Sequence, residues 1–114
     1  MVRIKRIYES PIPSPGDGKR ILVDRLWPRG LKKEDVLFDE WVKEAAPSNE
    51  LRKWFGHDPA RWQEFKKRYK RELAGKTELI GRLKAEAAEG TLTILYSAKD
   101  TERNNAVVLR DLIG

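Results

Sequence analysis

Four side chains that could bind or transform a ligand lie within residues 24–30, which read Asp-Arg-Leu-Trp-Pro-Arg-Gly. Arg25 and Arg29 supply guanidinium groups, which bind phosphate and carboxylate ligands well, and Trp27 supplies an aromatic face. Asp24 is the candidate for moving protons. The alternatives are that Asp24 and Arg25 form an internal ion pair, and that Trp27 belongs to the core.

A second polar segment, residues 97–105, combines a hydroxyl, an ammonium and the predicted start of a helix. Ser97 and Lys99 are candidate ligand-binding residues, because the N–H groups and dipole of a helix N-terminus also favour an anion. Asp100 is a candidate for proton transfer, or it only caps the helix. Asn104 and Asn105 disfavour a helix interior, so their position indicates capping or contact with a ligand.

Histidine has an ordinary pKa close to neutrality, and the chain contains one, His57, followed by Asp58. Asp58 could orient the imidazole as a general base, or His57 could lie in a turn and cap the preceding helix. The common glycine motifs for phosphates, dinucleotides and serine nucleophiles are absent. One histidine and no cysteine exclude the common zinc sites and leave only a carboxylate-bound Mg²⁺ as conceivable. No metal site is predicted and no particular cofactor is indicated.

Two predicted strands carry these segments to one edge of a sheet. Residues 21–26 contain a continuous aliphatic run, and residues 91–96 form the clearest strand in the chain. Ligands of open α/β sheets bind beyond the carboxyl ends of the strands. If the two strands are neighbours, we expect Arg25, Arg29 and Lys99 to converge on one point, where a phosphate or carboxylate would bind.

The other elements complete an α/β pattern. A strand is expected at 2–8, then a proline- and glycine-rich surface loop at 10–18, a short turn at 32–35 and an extended segment up to Pro47. Helices are expected at 49–55 after the cap Ser48, from Asp58-Pro59 to about 73, at 78–89 and at 102–112. A crossover through helices implies parallel strands. The fold class is therefore a small single-domain α/β sandwich over residues 1–114, with a mostly parallel sheet flanked by helices.

Composition narrows the class of protein. The chain has 114 residues, 39% of them hydrophobic, a net charge of +6, and four tryptophans among its aromatic residues, which argues against disorder. No apolar run approaches the roughly 18 residues of a membrane span, and no secretory signal is evident. The lack of cysteine favours the cytoplasm, and the few Asn and Gln residues among many charged ones fit a heat-adapted source.

The basic charge is concentrated in residues 61–76, which carry seven positive and two negative side chains. A nucleic-acid-binding surface on the helix at 61–73 is one interpretation. However, Trp62, Phe65 and Tyr69 share one apolar stripe with Leu73, so the positive face lacks groups on which bases could stack. The other interpretation is a solvated charged face or a contact surface between copies.

The motifs resemble those of the YeaO-like family, catalogued as domain of unknown function 488. The resemblance rests on residues 20–30, on Pro47-Ser48 with 50–59, on Trp62, Phe65, Arg68, Tyr69, Glu72 and Leu73, and on 92–100 with 104–109. It extends over nearly the whole chain and implies a small cytoplasmic α/β protein, with no established reaction or cofactor to carry over. It adds Arg52 and the region 48–58 to the candidate site.

Three functions follow from these patterns. The first is a binding protein or enzyme for an anionic small molecule, held by Arg25, Arg29 and Lys99, with protons moved by Asp24, His57 or Asp100. The second is a nucleic-acid-binding module that uses the basic helix. The third is a structural or partner-binding protein in which the same residues maintain the fold.

Overall fold

The computed structural model describes all residues 1–114. The four strands are β1 (Val2–Arg6), β2 (Lys19–Leu22), β3 (Glu40–Trp41) and β4 (Leu92–Tyr96). The four α-helices are α1 (Asn49–Phe55), α2 (Trp62–Ala74), α3 (Thr77–Glu89) and α4 (Asn105–Ile113). Short 3₁₀ turns lie at Lys33–Asp35, Lys43–Ala45 and Pro59–Arg61. No helix combines the length and the apolar content that crossing a bilayer would require.

The sheet is parallel throughout, in the order β1-β4-β2-β3. Ile94 of β4 lies between Ile4 of β1 and Ile21 of β2 in register. β2 and β4 pair directly, so the condition set for the predicted site is met, and the predicted α/β fold with a parallel sheet is confirmed. The parallel arrangement follows because three helices separate β3 from β4, and such a long crossover returns the chain in the same direction.

One face of the sheet packs against the helices and forms the main core. Ile21, Val23, Ile94 and Tyr96 point to this side and join the apolar faces of the four helices. The stripe predicted for the basic helix is confirmed, since Trp62, Phe65, Tyr69 and Leu73 are all buried. Phe65 stacks on Phe55 of α1 with ring centroids 4.3 Å apart, so α1 and α2 pack as a pair.

The opposite face is covered by loops and contains buried charge. Leu22 and Leu95 pack there against Ile7 and Val36, which lie outside the helices. Arg20 points to the same side and is only 1% exposed. The helices thus lie on one side of the sheet and irregular segments on the other.

The loop at 10–18 is more than the surface connection expected from its prolines and glycines. Asp17 is 2% exposed, and its carboxylate lies 2.8 Å from the Arg20 guanidinium and 2.5 Å from the Lys5 ammonium. The strands place Arg3, Lys5 and Arg20 on this face. The loop folds back because these cations need a counter-charge.

Several predicted boundaries differ from the structure. β2 ends at Leu22 rather than at 26, so residues 24–27 belong to a loop. The segment after the turn at 32–35 is extended only in part, because the 3₁₀ turn Lys43–Ala45 interrupts it. α4 begins at Asn105 rather than at 102, and Ala106, Leu109 and Ile113, spaced i, i+3 and i+7, lie on its buried face.

Candidate functional site

The Asp24 carboxylate joins three segments at the carboxyl ends of the central strands. Asp24 follows β2, and its Oδ2 accepts a hydrogen bond from the backbone N–H of Ser97, immediately after β4, at 2.9 Å. Its Oδ1 accepts from Nδ2 of Asn105, at the start of α4, at 3.3 Å. Asn105 also donates to the Val23 carbonyl at 3.0 Å. We call Asp24, Ser97 and Asn105 the strand-end cluster.

Burial dominates the electrostatics of this cluster. It raises the pKa of Asp24 above its ordinary value, while the hydrogen bonds from Ser97 and Asn105 and the nearby charge of His57 offset part of that rise. A half-buried carboxyl with a raised pKa is a common feature of functional sites, although structural clusters produce it as well. Hydrogen bonds therefore bring Asp24, Ser97 and Asn105 into one neighbourhood.

Beneath the cluster lies Tyr69, which the sequence did not single out for the site. Its hydroxyl donates to the carbonyl of Ala45. Burial raises its pKa well above the ordinary value, and the negative charges of Asp24 and Glu72 add to the effect. Tyr69 therefore stays neutral and holds α2 to the segment before α1. The only signal for this role in the sequence is that Tyr69 carries a hydroxyl, whereas the other residues of its stripe on α2 are apolar.

Arg25 bonds to backbone carbonyls and forms no ion pair with Asp24. Its Nε donates to the carbonyl of Pro47 at 3.0 Å, and a terminal nitrogen lies 3.4 Å from the carbonyl of Ala46. The alternative of an internal Asp24–Arg25 pair is therefore wrong, because the guanidinium turns toward the segment before α1. Two of its five N–H donors are used, and the positive charge has no carboxylate partner.

Arg52 lies one turn into α1, whose start is fixed by the predicted cap Ser48. The Ser48 hydroxyl accepts from the backbone N–H of Leu51 at 3.2 Å and donates to Glu72 at 2.6 Å. Arg52 is half-buried, and its buried Nε has no hydrogen-bond partner in the protein. A buried unpaired donor is rare and is often explained by water or a ligand.

His57 lies in the turn after α1 rather than in a catalytic pair with Asp58. It is the one non-glycine residue with a positive φ, 57°, and it follows Gly56 at φ 53°. The Asp58 carboxylate caps the next turn by accepting from the N–H of Ala60 at 3.0 Å. The imidazole packs 5.9 Å from the ring of Phe55 and is exposed to solvent.

Trp27 packs against β3, whereas the backbone of Arg29 is bound by Tyr8, which follows β1. The Trp27 indole donates to the Leu31 carbonyl at 2.6 Å and packs edge-to-face on Trp41 at a centroid distance of 5.5 Å. Trp27 is half-buried, so it belongs only partly to the core. The hydroxyl of Tyr8 donates to the Arg29 carbonyl at 2.7 Å, while the Arg29 side chain is exposed.

The segment after β4 uses its own side chains as caps. Asp100 accepts from the backbone N–H groups of Glu102 and Arg103 at 2.9 and 3.0 Å, and the bond from Glu102 is the main reason that the pKa of Asp100 is lowered. Asn104 caps α4 by accepting from the N–H of Val107 at 3.0 Å. Asp100 and Asn104 are thus capping residues, and the N–H groups that they bind are already satisfied.

Lys99 is exposed and has no hydrogen-bond or ion-pair partner in the structure. The same holds for the side chain of Arg29, whereas Arg25 is tied to the segment before α1. No contact joins these three residues, so their convergence on one ligand stays a prediction. No group of three or more His, Asp or Glu side chains is arranged to hold a metal ion.

Comparison with known proteins agrees with the resemblance seen in the motifs. A family model described as the Inactive DUF488-N3 subclade matches residues 1–114. The chain is 48% identical over 110 residues to Uncharacterized protein YeaO of Escherichia coli, covering 96% of this chain and 94% of that one. It is 39% identical over 113 residues to an uncharacterized protein of Mycobacterium tuberculosis, covering 99% and 93%. No solved structure matches.

Proposed function

Because the chain belongs to the Inactive DUF488-N3 subclade, we propose that it is a binding protein rather than an enzyme, with a site for an anionic small molecule. The site lies at the carboxyl ends of β2 and β4, around the strand-end cluster. Membership of an inactive subclade agrees with the chemistry of the site. Asp100 is committed to capping, and Asp24 accepts hydrogen bonds from Ser97 and Asn105.

One observation carries the anion proposal. Eight of the twelve arginines lie within 4.0 Å of a carboxylate oxygen. The four without such a partner are Arg25, Arg29, Arg52 and Arg71. Arg25 and Arg29 follow β2, and Arg52 lies on α1, which begins just after the segment that Arg25 contacts. A guanidinium without a counter-ion favours an anionic ligand.

Two further features support the same site. The buried Nε of Arg52 lacks a partner, and Arg25 contacts the segment that leads into the helix carrying Arg52. Lys99 follows β4 and is also unpaired. A phosphate or carboxylate group would satisfy donors that the protein itself leaves open.

We do not propose nucleic-acid binding by the basic face of α2. Its aromatic residues are buried, so the exposed lysines and Arg71 have no base-stacking partners on that helix. Arg71 is instead a useful control, because it is an unpaired arginine on α2, outside the strand-end site. A cytoplasmic location stays a prediction.

Titration calorimetry with inorganic phosphate and pyrophosphate tests the proposal, with Arg29→Ala, Arg52→Gln and Lys99→Ala compared with Arg71→Ala. Each of the first three variants should weaken binding by about tenfold, since a charge-assisted hydrogen bond contributes about 1.5–3 kcal/mol. Arg71→Ala should bind like the wild type. Equal losses in all four variants would indicate attraction to net charge alone, and no binding by the wild type would refute the proposal.

A further inference from the structure

An aromatic pair lies next to the strand-end cluster and has no part in the proposed anion site. Trp27 and Trp41 meet edge-to-face with ring centroids 5.5 Å apart, and both are half-buried. The indole N–H of Trp41 donates to the backbone carbonyl of Asp24 at 2.6 Å. The pair is therefore attached to the residue at the centre of the cluster.

The two rings pack in part against the core on the loop side of the sheet, where Phe38 lies 5.9 Å from Trp27, and lysine ammonium groups also lie over them. The ammonium of Lys43 lies 4.0 Å from the centroid of Trp41, and that of Lys33 lies 5.8 Å from the centroids of both rings. Both lysines are exposed and neither pairs with a carboxylate. Exposed side chains change rotamer in picoseconds to nanoseconds, so a planar ligand can replace an ammonium on the ring.

Arg29 holds a positive charge close to this aromatic pair. It is two residues from Trp27, so their Cα atoms are at most about 7 Å apart. The turn between them is fixed, because the Trp27 indole donates to Leu31 and the Tyr8 hydroxyl donates to the carbonyl of Arg29. An aromatic platform and an unpaired guanidinium are thus presented by one short, braced turn.

We infer that the anionic ligand is a nucleotide, whose base stacks on the Trp27–Trp41 pair while its phosphate is bound by the cations at the strand ends. The inference rests on the proposed function and adds the ligand class. A tryptophan face stacks on any base, and Arg and Lys bind phosphate.

Calorimetry on the wild-type protein with adenosine 5′-monophosphate, ribose 5-phosphate and inorganic phosphate tests this inference directly. The nucleotide should bind about tenfold more tightly than ribose 5-phosphate, which is a typical contribution of base stacking on an aromatic residue. It should also quench tryptophan fluorescence, whereas the two ligands without a base should not. If all three ligands bind equally, the nucleotide assignment is wrong and the anion site stands. If none binds, the proposed function itself fails.

Variants of the tryptophans locate the base. Trp41→Leu should reduce nucleotide binding by about tenfold and leave binding of ribose 5-phosphate unchanged, and Trp41→Phe should retain most of the affinity. Trp54→Leu is the matched control, because Trp54 is also half-buried and carries the guanidinium of Arg68 at 4.3 Å, but on α1. Equal losses for Trp41→Leu and Trp54→Leu would contradict the assignment. If Trp41→Leu does not fold, the wild-type comparison with ribose 5-phosphate decides.

Discussion

The carboxylate of Asp24 and the backbone N–H of Ser97 lie 2.9 Å apart, although 73 positions separate them in the sequence. This hydrogen bond links the segments that follow the carboxyl ends of β2 and β4. Asn105 braces the same carboxylate from α4, so a helix and two strands share one acceptor. A mutation of Asn105 should therefore change the properties of Asp24. A mutation of the neighbouring Asn104 should change only the stability of α4.

Asn105→Ala should raise the pKa of Asp24 further, because the lost amide hydrogen bond favours the charged carboxylate. Asn104→Ala should leave that pKa unchanged and reduce stability by about 1 kcal/mol through loss of the α4 cap. Carbon-detected NMR titration of the Asp24 carboxyl, together with urea unfolding, measures both effects. Equal pKa values in the two variants would show that Asn105 does not act on Asp24.

Replacing Asp17 should be strongly destabilising. Asp17→Asn leaves the buried Arg20 without a counter-charge, so we expect a loss of about 3–5 kcal/mol in the free energy of unfolding. Glu64→Gln, which breaks the exposed pair with Arg68, should cost only about 0.3–0.5 kcal/mol. Urea denaturation at neutral pH compares the two variants, and similar losses would contradict the assigned role of Asp17.

The same carboxylate should contribute to acid sensitivity. Burial alone raises the pKa of Asp17, but hydrogen bonds from Lys5, the Ser14 N–H and Arg20 outweigh burial and hold the pKa well below 3.8. Its contribution is therefore complete above that unfolded-state value and is lost as the pH falls toward the folded-state value. The wild type should lose stability as the pH falls from about 5 to 2, and Asp17→Asn should show a shallower slope over that range.

The positive φ of His57 allows the contribution of its backbone conformation to stability to be measured separately from that of its side chain. His57→Gly and His57→Ala both remove the imidazole, but only glycine adopts a φ near 57° without strain. The glycine variant should be more stable than the alanine variant by about 1 kcal/mol. Thermal unfolding of both proteins measures this difference, and equal stability would mean that the turn relaxes out of the left-handed conformation.

Two glycines should respond in opposite directions to alanine. At Gly18, φ is +61° and an added Cβ would lie 2.1 Å from the Thr91 carbonyl oxygen, so Gly18→Ala should destabilise by at least about 2 kcal/mol. At Gly81, within α3, an added Cβ meets nothing within 4 Å, so Gly81→Ala should stabilise by about 0.5–1 kcal/mol. Melting temperatures of the two variants should move to opposite sides of the wild type.

The helices were predictable because their signals are local. Ser48 caps α1, Asp58 and Pro59 open the turn before α2, and the spacing of the apolar residues assigns the buried face of α2. The parallel direction of the strands also followed, since a crossover through helices leaves only the parallel arrangement, whereas the adjacency of β2 and β4 was only a condition of the predicted site.

The polar contacts were not predictable, because their partners lie far apart in the sequence. Nothing in residues 10–18 indicates that Asp17 turns inward to Arg20, and nothing near Arg25 indicates that it bonds to Pro47 rather than to Asp24. Such choices depend on which groups the completed fold leaves without a partner.

The strand order also governs when this fold can form during synthesis. β4 lies between β1 and β2 in the sheet. The two earlier strands therefore leave the ribosome before the strand that pairs with both of them. The helices between β3 and β4 can form locally, but the sheet cannot close until residues 92–96 have emerged. Nascent chains that stop before this strand therefore hold two unpaired edges open to other strands. Closure of the sheet consequently follows the folding of the helices between β3 and β4.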